Sequence, residues 1–338
     1  MHTPNETDRN AYQDVWVVAE VLGGAIQDVT YELLGAARRL ADARGGKVGC
    51  VVIGSGVADQ VDACFHHQAD VCYVTDDPSL KEFIDETESR VLCRLIEKHK
   101  PEIVICAATS RGRALIPRAA VVTNCGLTAD CTGLDIDPET GVLLQTRPAF
   151  GGNIMATIKS EQHRPQMATV RPRVMNAPEP DTGRTGEVVT EPLEEDDKTK
   201  LKRIVDVVHD AAGGVKLADA EFIITGGRGV KGPEGFQVLE DLAKHIGGAV
   251  GASRAAVDAG WIPYAHQVGQ TGQTVQPRVY MACGVSGQIQ HLVGMQSSDF
   301  IIAINKDAEA PLMSLADVAI VGDLFEVIPA LIKELQKT

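Results

Sequence analysis

Two α/β domains, each a mainly parallel sheet covered by helices and the second one doubly wound, are what the order of apolar runs predicts for this chain. Three observations carry that expectation. Apolar runs of strand length alternate with segments whose apolar residues recur at helical spacing, and the links are short, which is the pattern of parallel strands joined by covering helices. A segment rich in Pro, Gly and acidic residues interrupts the alternation at 176–200. The 338 residues suffice for two cores, since a domain commonly holds ~100–200 residues.

The first domain is expected over 1–208. Residues 1–12 are polar and read as disordered. Val15 to Glu20 is an apolar run of strand length, and Asp28 to Ala43 follows with Val29, Leu33, Leu34, Ala37, Leu40 and Ala41 at helical spacing. Gly45-Gly46 ends that helix, and Lys47 to Ile53 is a second buried strand. The pattern repeats with a short helix near Val57 to His67, a strand at Val71 to Val74, a helix from Leu80 to Lys98 and a strand from Ile103 to Ala107. Thr109-Ser110-Arg111-Gly112-Arg113 then opens another helix. At the carboxyl end of a parallel strand, such a cluster either meets a ligand or partner, or supplies an N-cap and two solvated arginines. Farther on, Gly151, Gly152 and Asn153 between apolar strands predict a hairpin within Gln145 to Ile158, with Arg147 and Phe150 as a surface pair. The 176–200 segment reads as a linker or extended arm, its Glu194-Glu195-Asp196-Asp197 run solvated.

The second domain, expected over 209–338, holds five short apolar runs: Phe222 to Thr225, Ala249 to Ala252, Val279 to Cys283, Phe300 to Ile304 and Val318 to Val321. Helical candidates lie at Gly235 to Ile246, Ser286 to Val293, Pro311 to Ser314 and Leu324 to Leu335. The residues after each strand are polar or small: Gly226-Gly227-Arg228-Gly229, Ser253-Arg254, Gly284-Val285-Ser286-Gly287, Asn305-Lys306-Asp307 and Gly322-Asp323. Carboxyl ends of parallel strands share one edge, so these five loops are expected to converge on one binding crevice.

Composition excludes several function classes. A formal charge of −14 argues against nucleic acid and anionic membrane, which call for a clustered basic face. No apolar run reaches the ~20 residues that span a bilayer, and the N-terminus has neither a secretory nor a transit pattern, so a cytoplasmic protein without membrane insertion is expected. The eight cysteines show no CxxC spacing and the nine histidines no ligand pair, so a structural metal is not expected; reduced thiols fit a cytosolic setting. No Ser-His-Asp order, nucleophile elbow or GxxxxGK[ST] loop is present.

What remains is a binding site with electronic tuning, centred on Pro263 to His291. Gln267, Gly269, Gln270, Thr271, Gly272, Gln273 and Thr274 offer neutral hydrogen-bonding groups and flexible backbone but almost no charge, which suits a large polar ligand better than hydrolysis. Ser286-Gly287-Gln288 is expected to open a helix whose N–H groups favour a pyrophosphate. Asp323, with Asn305 beside it, could accept from a ribose or adenine. Arg254 over an extended ring system would stabilise its anionic forms, as would His291 by donating to a carbonyl or ring nitrogen.

The runs GGRGV (Gly226 to Val230), VGASRAAVDAG (Val250 to Gly260), QVGQTG (Gln267 to Gly272), GVSGQIQH (Gly284 to His291), AINKD (Ala303 to Asp307) and DLF (Asp323 to Phe325) resemble, in order, the alpha subunit of electron transfer flavoprotein; ATSRGRALIPR (Ala108 to Arg118) extends the resemblance over most of the chain. The resemblance implies FAD in the C-terminal domain. It implies that Arg228, Ser253, Val268, Gly269, Gln270, Thr271, Ser286, Gly287, Gln288, Ile289, Gln290, His291, Asn305, Asp323 and Leu324 surround the cofactor, in a crevice to which Gln267, Gly284 and Asp307 also belong. Thr271 is expected near flavin N5, His291 on the N1 and C2-carbonyl side, and Arg254 over the isoalloxazine. The implied partner is a beta subunit, forming a heterodimer that carries electrons between an acyl-CoA dehydrogenase or similar flavoenzyme and a downstream acceptor. TRPAFGGNIMATI (Thr146 to Ile158) is similar to the electron-bifurcating members, in which the beta subunit holds a second FAD and oxidises NADH, and a ferredoxin or flavodoxin is then a further partner. Arg147 and the turn at 151–153 would lie at the subunit interface. A conventional carrier, or a non-redox nucleotide-binding module of the same fold, are the alternatives.

Overall fold

Strand runs rich in Val, Ile, Ala and Cys are apolar on both faces, which favours burial between two helical layers, and the two parallel sheets of this computed structural model are built that way. The structure describes residues 11–149, 154–199, 201–205, 207, 217 and 220–337. The chain divides into two units, Met1–Val207 and Val208–Thr338.

In the first unit the strands are β1 (Gln13–Val18), β2 (Val21–Leu22), β3 (Ala25–Ile26), β4 (Val48–Gly54), β5 (Val71–Asp76), β6 (Pro101–Ala107), β7 (Leu127–Cys131), β8 (Gly133–Ile136), β9 (Leu143–Ala149), β10 (Ile154–Lys159), β11 (Gln166–Val170) and β12 (Glu187–Thr190). Its helices are α1 (Val29–Arg44), α2 (Val61–His66), α3 (Asp85–His99) and α4 (Ser110–Val122). Seven strands form a parallel sheet in the order β12-β5-β4-β1-β6-β11-β7. One face packs on α1 through Leu33, Leu34, Ala37 and Leu40; the other carries Leu92, Leu95, Leu115 and Ile116 of α3 and α4. β9 and β10 form the expected hairpin with β8 beside them, Arg147 standing opposite Ala156; Phe150 and the turn at 151–153 lie outside the described residues.

Several expectations shift. The helix expected from Leu80 begins at Asp85, because Pro78 to Leu80 makes a separate 3-10 turn capped by Asp77. The 176–200 segment is an arm rather than a linker over part of its length: β12 adds a parallel strand to β5, which lets a stretch too polar for its own core borrow an existing one. Its acidic run is not wholly solvated. Asp197 is buried and pairs with Arg94 at 2.9 Å, while buried Glu191 takes Lys98 and His99 at 2.7 and 2.8 Å.

The second unit comprises β13 (Phe222–Gly226), α5 (Pro233–Ile246), β14 (Ala249–Ala252), α6 (Arg254–Asp258), β15 (Val279–Cys283), α7 (Ile289–Leu292), β16 (Phe300–Asn305), α8 (Pro311–Leu315), β17 (Val318–Val321) and α9 (Leu324–Leu335). The strands are parallel in the order β14-β13-β15-β16-β17. Phe236, Leu239 and Leu242 of α5 and Ile328 of α9 cover one face, while Tyr280, Ile301, Leu312 and Met313 fill the other. No helix among the described residues is long and apolar enough to cross a membrane.

Candidate functional site

The chain steps outward from β13 to β14 and then crosses back to β15, so the carboxyl ends of β13 and β15 flank the point where the strand order reverses. A cavity of about 720 Å³ opens there, within the roughly 300–1,000 Å³ of cofactor sites. The turns after β13 and β15 touch backbone to backbone: a Cβ at Gly227 would stand 2.2 Å from the Gly284 carbonyl oxygen. Larger residues at 227 would push these walls apart.

The neutral loop after α6 is braced by its own polar groups. Val268 N–H donates to the Ala252 carbonyl at 2.9 Å, tying the loop to the end of β14. Gln273 N–H donates to the Gln267 carbonyl at 2.7 Å and Gly269 N–H to that of Gln273 at 3.1 Å. Buried Gln267 donates from Nε2 to Thr271 Oγ1 at 3.0 Å, and the Tyr264 hydroxyl donates to the Thr271 carbonyl. Since Thr271 Oγ1 already accepts, its own O–H remains available to a ligand.

Two polar side-chain atoms at the cavity are buried and unpartnered: Ser253 Oγ, at the N-cap position of α6, and His291 Nδ1. The Nε2 of His291 lies 3.0 Å from the hydroxyl of Tyr280. Burial pushes the imidazole pKa down to about 4, and the nearby Val268 backbone opposes this only in part, so the ring is neutral at pH 7. Arg254 is exposed and its Nε donates to Asp258 at 3.2 Å.

Of the residues expected around the cofactor, Arg228, Ser253, Arg254, Gln267, Val268, Gly269, Gln270, Thr271, Gly284, Ser286, Gln288, Gln290, His291, Asn305 and Asp307 line this cavity. Four do not. Gly287 has φ +83° and packs against α8, where a Cβ would meet Leu312 N at 2.5 Å. Ile289 is exposed. Asp323 caps α9 through the Phe325 N–H at 3.0 Å and pairs with Lys306 at 2.6 Å, which holds its carboxyl below the usual range; Leu324 belongs to the core. The expected helix opening at Ser286 is also corrected. α7 starts at Ile289 and runs four residues, too short for a helix dipole, so any anion binding by the 284–288 turn falls to its individual N–H groups.

The lining also includes Gly227, Gly229, Ala255, Asp258, Val285, Glu309, Ala310 and Pro311. Asp258 was legible as the i+4 partner of Arg254; Glu309 to Pro311 carry no local signal, because the packing of α8 brings them there.

The polar cluster of the first unit behaves differently. Thr109 caps α4, its Oγ1 accepting from Gly112 N–H at 3.0 Å and donating to Glu20 at 2.9 Å. Arg111 is not solvated: it pairs with Glu88, donates to the carbonyls of Val21 and Ile53, and lies 5.0 Å from the Phe83 ring. Arg113 stays exposed beside Asp130.

Residues 15–196 match the electron transfer flavoprotein domain, and residues 216–296 match the electron transfer flavoprotein FAD-binding domain, which contains most of the cavity. The chain belongs to the electron transfer flavoprotein alpha-subunit family. It is 49% identical to the electron transfer flavoprotein subunit alpha of Thermoanaerobacterium thermosaccharolyticum over 97% of this chain and 99% of that protein. Protein FixB of Clostridium saccharobutylicum is 48% identical, with 96% of each chain covered. Acryloyl-CoA reductase electron transfer subunit beta of Anaerotignum propionicum is 39% identical over 98% of each. Within this family, the crevice of the second unit is the candidate cofactor site.

Proposed function

We propose that this chain is the FAD-holding subunit of a two-subunit electron carrier, which with an electron transfer flavoprotein beta subunit takes electrons from a dehydrogenase and delivers them to a downstream acceptor. The cavity of the second unit carries this reading. It lies at the strand-order reversal, its Gln267–Thr271 wall offers neutral donors beside the cations Arg228 and Arg254, and Ser253 Oγ and His291 Nδ1 are left without full hydrogen bonds. A buried polar atom without a partner costs about 1–3 kcal/mol, so such a pair fits a site completed by a polar ligand.

The residues fit FAD. The turns at 227–229 and 284–288 would hold the pyrophosphate with backbone N–H groups and Arg228, Asn305 and Asp307 the ribose side, while Thr271, Arg254 and His291 would serve the ring. When bound, FAD supplies the electron transfer that no side chain here can perform. The chain binds and orients it, donates from the free hydroxyl of Thr271, and favours its anionic reduced forms through the Arg254 guanidinium.

The narrower reading is a bifurcating complex, supported by the similarity of Thr146 to Ile158 to that group. The relative named acryloyl-CoA reductase electron transfer subunit beta supports a reductase of an acyl-CoA as the exchange partner; on the bifurcating reading a ferredoxin or flavodoxin would be the second acceptor. The deciding experiment is the flavin count of the chain purified with its beta subunit. Two FAD per heterodimer and direct NADH oxidation are expected. One FAD with AMP, reduced by an acyl-CoA dehydrogenase, leaves a conventional carrier. A colourless complex that takes up no FAD overturns the flavin reading, and ADP-ribose binding without redox change would then mark a nucleotide-binding module.

A further inference from the structure

We propose that Tyr280, which does not line the cavity, is the positioning residue that decides which nitrogen of His291 carries the proton: its hydroxyl donates to Nε2 and leaves the ring N–H on Nδ1 for a bound acceptor. Tyr280 sits on β15, one of the two strands flanking the crevice, and is fully buried. Its hydroxyl oxygen is 3.0 Å from Nε2, with the ring centroids 6.2 Å apart and the planes inclined at 56°. A buried phenol keeps a hydrogen-bond partner; the Thr225 hydroxyl can donate to the phenol oxygen, which leaves His291 Nε2 as the acceptor for the phenol's own O–H. Between the two possible directions, O–H to nitrogen is favoured, because the phenol is the more acidic donor and the imidazole nitrogen the better acceptor. A neutral imidazole has a single N–H, so the bond at one nitrogen fixes the state of the other.

That other nitrogen is Nδ1, which is buried on a residue of the cavity wall and makes no hydrogen bond of full geometry; the Val268 backbone beside the ring is the acceptor a bound group would compete with. Held this way, His291 offers a donor without adding a further cation to a cavity that already has Arg228 and Arg254 in its wall. The identity of the acceptor as a flavin atom rests on the flavin reading above; the tautomer does not.

The test uses the full chain in the complex as isolated, grown with ¹⁵N-histidine, with the His291 resonances identified by their loss in His291→Gln. Imidazole ¹⁵N–¹H correlations at neutral pH report which nitrogen is protonated. In the wild type, the proton is expected on Nδ1. In Tyr280→Phe, the signal should shift toward the other tautomer, and FAD affinity should fall about tenfold, the equivalent of ~1.4 kcal/mol. A wild-type proton on Nε2, or a Tyr280→Phe spectrum identical to wild type, overturns the inference while the flavin reading stands. Wild-type complex that binds no FAD overturns the flavin reading while the tautomer assignment is judged by the spectrum alone. If Tyr280→Phe does not fold, the wild-type spectrum still decides.

Discussion

Each unit places a hydroxyl-arginine step at the carboxyl end of a parallel strand, Thr109-Ser110-Arg111 after β6 and Ser253-Arg254 after β14, and the two steps end differently. In the first, Thr109 and the terminal nitrogens of Arg111 are consumed inside the unit, although Arg111 Nε is buried without a partner. Thr109 bonds Gly112 and Glu20, and Arg111, whose side chain is 12% exposed, is spent on Glu88 and two backbone carbonyls. In the second, Ser253 Oγ has no partner and the Arg254 side chain is 68% exposed with only Asp258 beside it. A satisfied polar network fixes a structure, whereas an unfinished one is what a ligand completes. The same local sequence pattern therefore builds a structural plug on one sheet edge and a binding wall on the other.

Replacing Arg111 should have the largest effect, because Glu88 is 1% exposed and would be left buried without its partner, forced either to stay charged unpaired or to take up a proton. Arg111→Ala is expected to cost about 3–5 kcal/mol in denaturant unfolding of the full chain. A loss below 1 kcal/mol would mean that the closed edge is not held by this pair. Arg254→Ala should leave stability within about 0.5 kcal/mol, because the arginine is exposed. It should instead lower the midpoint potential of bound flavin, by removing a charge-assisted interaction of about 1.5–3 kcal/mol with the reduced anionic forms. An unchanged midpoint would remove Arg254 from the ring.

The difference between the two edges was only partly legible in the sequence. The five strands of the second unit, its longer helices and the convergence of four of the five expected loops follow from periodicity, because the apolar runs are short, separate and punctuated by glycine; the short α6, the start of α7 and the withdrawal of Gly322-Asp323 from the cavity do not. The antiparallel pairing of β9 and β10 is the one expected for Gln145 to Ile158. What periodicity cannot supply is partner choice across the sequence. Arg111 is joined to Glu88, a residue buried on α3 whose inward orientation is set by helix packing, and nothing near Arg111 announces it. The same holds for Asp197, whose place among acidic neighbours reads as solvated until Arg94 is brought to it, and for Tyr280, which looks like ordinary strand apolarity until His291 meets its hydroxyl.

The two edges should also respond to pH with opposite signs. Burial raises the Glu88 carboxyl from 4.5 to about 7, against the lowering effect of Arg111. Between those values the folded state holds a proton that the unfolded state has lost, so Glu88 removes stability as pH rises through that window. Burial lowers His291 from 6.5 to about 4, so there the unfolded state binds the extra proton and stability grows as pH rises over that range. Amide hydrogen exchange read separately over β6 and β15 should show opposing slopes between pH 5 and pH 6.5, and Glu88→Gln should reduce the first alone, leaving the part that comes from Glu20, whose carboxyl burial also raises. Slopes of the same sign in both strands, unaltered by Glu88→Gln, would contradict this assignment.

The smallest effect is expected where the open edge has its own ion pair. Arg254 and Asp258 are 68% and 62% exposed, and such a pair contributes about 0.2–1 kcal/mol at most, so Asp258→Asn should leave unfolding nearly unchanged. Its informative readout is the flavin. Asp258 lines the cavity, and neutralising it removes a negative charge beside the guanidinium, so the midpoint should rise, opposite in sign to Arg254→Ala and smaller in size. A fall in midpoint would mean that Asp258 acts chiefly by holding Arg254 in place, which would make the second edge a positioned site like the first rather than an open one.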